Sequence, residues 1–137
     1  MIVADTGAIL ALLDADDWYH AAMVELFDRT GSRWVLPWAI LPEVDYLVTR
    51  HGGPAVADIF LDDLAAGAWT VEWGDDGDVV AARSILARHA DLGLGLVDGV
   101  VMAMAERLGA EAIATLDVRH FGAITLEGRP RLLPRDG

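Results

Sequence analysis

The chain has no cysteine and no lysine. Without thiols there is no disulfide framework, no Cys-ligated zinc and no thiol nucleophile. Without lysine there is no Schiff-base chemistry, no P-loop lysine on a nucleotide phosphate and no mechanism that turns on a catalytic ammonium. Long apolar runs are missing too: a stretch such as Ala8–Leu13 is far too short to span a bilayer. The N-terminus lacks a basic start and carries Asp5 where a signal peptide has its apolar core, so the expected location is the cytoplasm, with no membrane partner. Positive charge is scarce. Ten arginines face 22 acids, a net charge of −12, which opposes broad, nonspecific nucleic-acid binding. If the ligand is nucleic acid, a metal and a few placed arginines must overcome that field.

The 137 residues are 54% apolar, and their mean hydropathy of +0.36 argues against disorder and for one domain over 1–137. No repeat, low-complexity tract or linker interrupts them. Apolar runs at about 1–5, Trp34–Leu36 and Ala112–Leu116 predict buried strands. Trp69–Trp73 alternates like a strand, and Arg131–Leu133 fits a final edge strand. Helical spacing appears at Ile9–Leu13, about Asp17–Arg29 with Trp18 on the apolar side, Ala39–Arg50, from Pro54 onward, from the Asp75–Asp78 cluster to about His89, and Val97–Leu108. Asp91–Gly95 reads as a loop. Alternating strands and helices predict an α/β fold with one mostly parallel sheet and helices on both faces.

Four carboxylates occupy informative places in that pattern. Asp5 and Asp117 end apolar strands, and the carboxyl ends of strands are where open α/β sheets bind ligands. Glu43 and Asp98 sit in the first turns of two helices, which enter from the same edge, each flanking its helix's apolar stripe. Asp5 alone also fits a plain helix N-cap. Gathered together, however, four acids require a cation: two like charges about 4–5 Å apart repel by about 3–4 kcal/mol at an effective dielectric near ~20. An all-oxygen donor set with no cysteine favours Mg²⁺ or Mn²⁺ over Zn²⁺. Such an ion activates water and offsets charge on a phosphodiester.

Four segments carry a family resemblance. Val3-Ala4-Asp5-Thr6-Gly7-Ala8-Ile9-Leu10 resembles the Asp-Thr-Ser-Ala-Leu opening of PIN-domain proteins, especially the VapC-type ribonuclease toxins of bacterial toxin–antitoxin pairs. Pro42-Glu43-Val44 is similar to the segment with the family's second acid, Leu94-Gly95-Leu96-Val97-Asp98 to that with the third, and Ala114-Thr115-Leu116-Asp117-Val118-Arg119-His120-Phe121 to its Thr-x-Asp-x-x-x-Phe ending. The resemblance spans nearly the whole chain and implies a PIN-like α/β/α sandwich with four or five central strands. It also implies Mg²⁺ (or Mn²⁺) held by Asp5, Glu43, Asp98 and Asp117, and RNA cleavage to 5′-phosphate and 3′-hydroxyl products. For partners it implies a cognate antitoxin, a homodimer and a larger toxin–antitoxin assembly. Two positions depart from the pattern: Gly7 replaces the usual Ser, leaving Thr6 as the supporting hydroxyl, and Gly99 replaces Ala and is expected to loosen its helix start.

Other residues divide between a functional and a plain role. Thr115 shares a sheet face with Asp117 by period-two geometry, which suits a supporting hydroxyl or an ordinary strand threonine. Arg119 is a candidate phosphate contact or an exposed loop arginine. His120 is open to reading as a general base, but metal-bound water needs no imidazole, and like His20 it has no visible partner, so both read as structural. Trp38 follows a strand at the site edge, where it would stack a nucleobase or pack at a rim. Asp91 reads as a loop residue rather than a further acid near the site, and Asp45 as solvated or at an interface, while Trp18, Leu61 and Trp73 are candidates for an apolar contact face. A receiver module would need a lysine, and a haloacid-dehalogenase-like phosphatase a second Asp where Gly7 stands. A catalytically silent PIN-fold scaffold is the alternative that remains.

Overall fold

Three strands, β1 (Ile2–Ala4), β2 (Trp34–Pro37) and β4 (Ala112–Ala114), are buried at every residue. That continuity is what a parallel sheet covered on both faces demands. The computed structural model describes residues 1–137. With β3 (Val71–Glu72) and β5 (Arg131–Leu133) these strands form one five-stranded sheet in the order β3-β2-β1-β4-β5. Every pairing is parallel. The chain first steps outward from β1 through β2 to β3, then crosses to the other side of β1 for β4 and β5. The direction of winding therefore reverses between β1 and β4. Ligand crevices open at such switch points, beyond the strands' carboxyl ends.

The helices are α1 (Thr6–Leu13), α2 (His20–Thr30), α3 (Ile40–Gly52), α4 (Pro54–Ala65), α5 (Asp76–Arg88), α6 (Leu96–Arg107) and the single turn α7 (Val118–Phe121). Helix α1 starts at Thr6, three residues before its apolar pattern predicts, because the Asp5 carbonyl already accepts from the amides of Ala8 and Ile9. Helix α2 starts at His20 rather than Asp17. The Asp14 and Asp17 carboxylates accept from the backbone amides of Asp16 and Tyr19, so the segment folds as turns. Trp18 consequently stands outside the helix and 91% exposed, not on its apolar side. Strand β3 keeps only two of the five residues expected, and a 3₁₀ turn, Ala90–Leu92, opens the predicted loop.

Helix α6 departs most from an amphipathic stripe. Gly99 through Ala105 are all buried, because α6 lies between the sheet and α5. Gly99 is a point of close approach: a Cβ there would stand 3.1 Å from Leu86 Cγ and 3.3 Å from Ala82 Cβ. The absence of a side chain at Gly99 therefore lets α5 seat on α6. Beyond that contact, the Arg107 guanidinium grips the buried Asp78 carboxylate, Nε to Oδ1 at 2.6 Å and Nη2 to Oδ2 at 3.1 Å. Burial alone would push the Asp78 carboxyl up, but the Arg107 bonds outweigh it and hold it below the ordinary range. At the far side of the sheet, Phe27 packs edge-on to Trp34 at 5.2 Å and against Trp69 at 5.4 Å, fixing α2 to β2.

Candidate active site

Asp5 leaves β1 and Asp117 leaves β4, so the two acids flank the switch point. Asp5 is only 6% exposed, and although it stands at the N-cap of α1 its side chain makes no cap bond. Its Oδ2 accepts instead from the fully buried Thr115 hydroxyl at 2.9 Å. The same hydroxyl oxygen accepts from the Asp117 backbone amide at 3.0 Å. Thr115 thus clasps the two strand ends through one atom. Burial drives the Asp5 carboxyl up to about 6; the Thr115 bond and the Thr6 backbone hold it back, and the charges of Asp98 and Asp117 push it further.

Asp98 lies in the first turn of α6, half-buried. Its carboxyl is raised by burial and opposed by the backbone at Gly95. Asp117 and Glu43 raise it further, whereas His120 lowers it. Glu43 is half-buried in the first turn of α3. The four predicted acids are therefore linked by mutual repulsion: Asp5 with Asp98 and Asp117, and Asp98 with Asp117 and Glu43. As the side chains stand, no three carboxylates or imidazoles of the chain are drawn into a metal-ligand cluster. Two features nevertheless suit a hard divalent cation. The donors are all oxygen, and the buried Thr6 Oγ1, next to Asp5, has no hydrogen-bond partner.

His120 is the residue whose setting the sequence did not disclose. Its Nδ1 lies 2.9 Å from Asp117 Oδ2, and its backbone amide donates to Asp117 Oδ1 at 3.2 Å, which makes Asp117 the cap of α7. An acid three residues before a histidine signals this pairing only where a short helix joins them, and α7, four residues long, leaves no periodic trace in the sequence. Arg119 is exposed in the same turn. Trp38 is partly buried against the core. Its Nε1 lies 3.1 Å from where a Cβ on Gly74 would be. His20 holds the Ala11 carbonyl through Nδ1 at 2.7 Å, a structural tie between α1 and α2. Asp91 is exposed, and Asp45 is half-buried.

An all-parallel sandwich with carboxylates gathered around its switch point defines an α/β protein with an acidic strand-end crevice. The chain belongs to the PIN-domain family, which it matches over residues 2–125. It is 32% identical over 123 residues to ribonuclease VapC26 of Mycobacterium tuberculosis, covering 90% of this chain and 91% of that protein. Among solved structures, it superposes on VapC20 of Mycobacterium tuberculosis, described as a sarcin-ricin loop cleaving toxin, with a TM-score of 0.77 at 22% identity over 95% of this chain and 100% of the other. The DNA-bound VapBC structure from Salmonella typhimurium gives 0.70 at 19% identity, covering 96% and 97%. These two likenesses are of fold.

Proposed function

We propose that the chain is a divalent-metal-dependent endoribonuclease and the toxin of a toxin–antitoxin pair. The observation that carries this is Asp5: a buried carboxyl, clasped through Thr115 to the strand end bearing Asp117 and loaded by the charges of Asp98 and Asp117. A site that concentrates negative charge in a partly buried crevice is stabilised by a cation. Asp5, Glu43, Asp98 and Asp117 would hold Mg²⁺ or Mn²⁺, directly or through water, with the Thr6 hydroxyl beside them. The bound ion supplies an activated water and offsets charge on the phosphodiester. The protein's own part is positional. Thr115 fixes the spacing of Asp5 and Asp117, His120 orients the Asp117 carboxylate, and Arg119 contacts an RNA phosphate. The 32% identity to a VapC ribonuclease over nine-tenths of the chain supports RNA as the substrate.

For partners, an antitoxin segment bearing arginine suits the same acids, because a guanidinium pairs bidentately with a carboxylate. The net charge of −12 favours a basic antitoxin and speeds association at low salt. Trp18 at 91%, Trp73 at 71% and Leu61 at 45% exposure supply apolar surface for a homodimer and the larger assembly.

The test is a Mn²⁺ titration read by thermal melting and by RNA cleavage. Mn²⁺ raises the melting temperature of the wild-type chain at pH 8, and EDTA abolishes cleavage. Asp98→Ala removes both the melting shift and the cleavage while remaining folded. The second reading, a silent scaffold, is favoured by the carboxylates not being drawn into a ligand cluster. It gives no melting shift with Mn²⁺, and cleavage that persists in EDTA would sink the metal-dependent reading.

A further inference from the structure

The −12 charge is unevenly spread. Residues 118–137 carry four arginines against two acids, whereas the preceding 117 residues carry six against twenty, so the last segment is net +2 and the rest net −14. This segment begins at α7, immediately after Asp117, and ends beyond β5. It encloses a cavity of about 380 Å³, floored by the buried Phe121, Ile124 and Leu126 and rimmed by Thr125, Arg129 and Arg135. A site of that size with an apolar floor and a few polar groups is of the kind that takes a small ligand or part of a larger one.

Two observations leave donors free at the rim: one unpaired cation, and one open edge of a guanidinium that is otherwise paired. Arg129 has no ion pair. Its backbone has φ +46°, the one positive value at a non-glycine residue, and its amide donates to the Leu126 carbonyl at 3.0 Å, so a turn fixes where the side chain starts. Arg135 commits Nε and Nη2 to Asp136, at 2.6 and 3.0 Å. Its Nη1 makes no recorded bond and lies over the end of α7, 3.1 Å from where a Cβ on Gly122 would sit. Because β5 pairs parallel with β4, Arg135 leaves β5 at the edge where Asp117 leaves β4. Phe121 in the cavity floor and Asp117 in the acid cluster are one helical turn apart in α7, about 6 Å along its axis.

We propose that this cavity is an accessory RNA subsite, holding a nucleotide of the bound strand adjacent to the phosphodiester at the acid cluster. Arg129 and Arg135 Nη1 take its phosphate, and the Phe121–Ile124–Leu126 floor takes the ribose and base. The subsite explains how a strongly acidic chain holds a polyanion. Acids more than about one Debye length from the cavity are largely screened by salt, whereas a charge-assisted contact made at hydrogen-bond distance is not. The assignment rests on RNA being the substrate, but it concerns binding and not the cleavage step.

The experiment measures binding of a fluorescein-labelled, mixed-sequence single-stranded RNA by anisotropy, in Mn²⁺, with every chain carrying Asp98→Asn to prevent turnover. Arg129→Gln/Arg135→Gln weakens binding about tenfold and reduces the slope of log K against log salt by about 1–2. Arg129→Lys/Arg135→Lys restores most of that slope. Arg83→Gln/Arg88→Gln, which removes the same charge from the exposed face of α5, leaves affinity and slope near the parent's. Melting curves verify that each variant is folded. Equal affinity and slope in the Gln pair and its parent overturn the subsite, as does a parent that binds no RNA. Binding that responds as expected, in a chain whose Asp98-intact form cleaves nothing, keeps the subsite and removes the ribonuclease reading.

Discussion

Asp5 concentrates the residue-scale chemistry. Its carboxyl, raised to about 6, is protonated in the folded chain at pH values where the unfolded chain, near 3.8, is already ionised. The folded state therefore binds more protons across that window. The associated stability is present in full below about pH 4 and is lost as pH rises through about 6. Roughly two pK units correspond to about 3 kcal/mol of differential cost, an upper figure. Asp5→Asn keeps an acceptor for the Thr115 hydroxyl and removes the ionisation. In EDTA, urea titrations should show the Asn chain more stable than wild type at pH 8 by up to about 3 kcal/mol, with the difference shrinking toward pH 4. A pH-independent difference would contradict the burial-driven shift. Asp5, Asp98 and Asp117 were readable in the sequence because strand ends and helix starts leave local signatures. Thr115 was singled out by period-two alternation, but β4 ends at Ala114, so its bonds to Asp5 and Asp117 are made from the turn beyond the strand and not along a sheet face. His120 was not readable, since its partner depends on a four-residue helix too short to leave a periodic signal.

Among the elements, α6 shows where local reading fails. An apolar stripe at Val97, Val101, Met104 and Leu108 predicts a helix with one covered face, yet Gly99 through Ala105 are all buried. The cover comes from α5, a neighbour the spacing within α6 cannot reveal. The packing role of Gly99 was hidden for the same reason: its neighbours, Ala82 and Leu86, lie on another helix. The two departures from the family pattern should respond in opposite ways. Gly99→Val drives a branched side chain into Leu86 and Ala82 and should cost about 1–3 kcal/mol by denaturant unfolding. At Gly7 the nearest neighbour of an added Cβ is Leu116 Cβ, at 3.9 Å, an ordinary contact. Gly7→Ser should be neutral or stabilise by up to about 0.5 kcal/mol, from helix propensity. Comparable losses at both positions would contradict the packing described. By contrast, the β1, β2 and β4 segments were clear from sequence, because a strand covered on both faces is simply an apolar run.

Across the whole molecule, the asymmetry of charge matters more than its total. The first 117 residues carry net −14, and few of their acids have cationic neighbours. The fold therefore carries self-repulsion that salt relieves. Its melting temperature should rise as NaCl is increased from low to physiological concentration, and falling stability over that range would contradict the charge argument. The total of −12 was plain in the sequence. That the basic remainder closes around a cavity beside the acids was not, because it depends on β5 returning parallel to β4.

The placement of β1 also bears on when the crevice comes into being. The chain's first strand is the sheet's middle strand, and one of its two neighbours, β4, is specified more than a hundred residues later. The Thr115–Asp5 bond spans 110 positions. A contact order of that kind slows the search for the native state, because loop closure must precede the pairing that rewards it. β1 cannot acquire its β4 neighbour before the β4 segment has been synthesised. No nascent chain that stops short of Thr115 can hold Asp5 in its final setting. The two halves of the crevice, more than a hundred positions apart along the chain, are thus joined late, and the acidic site is whole only once Thr115 has been made and folded back against β1.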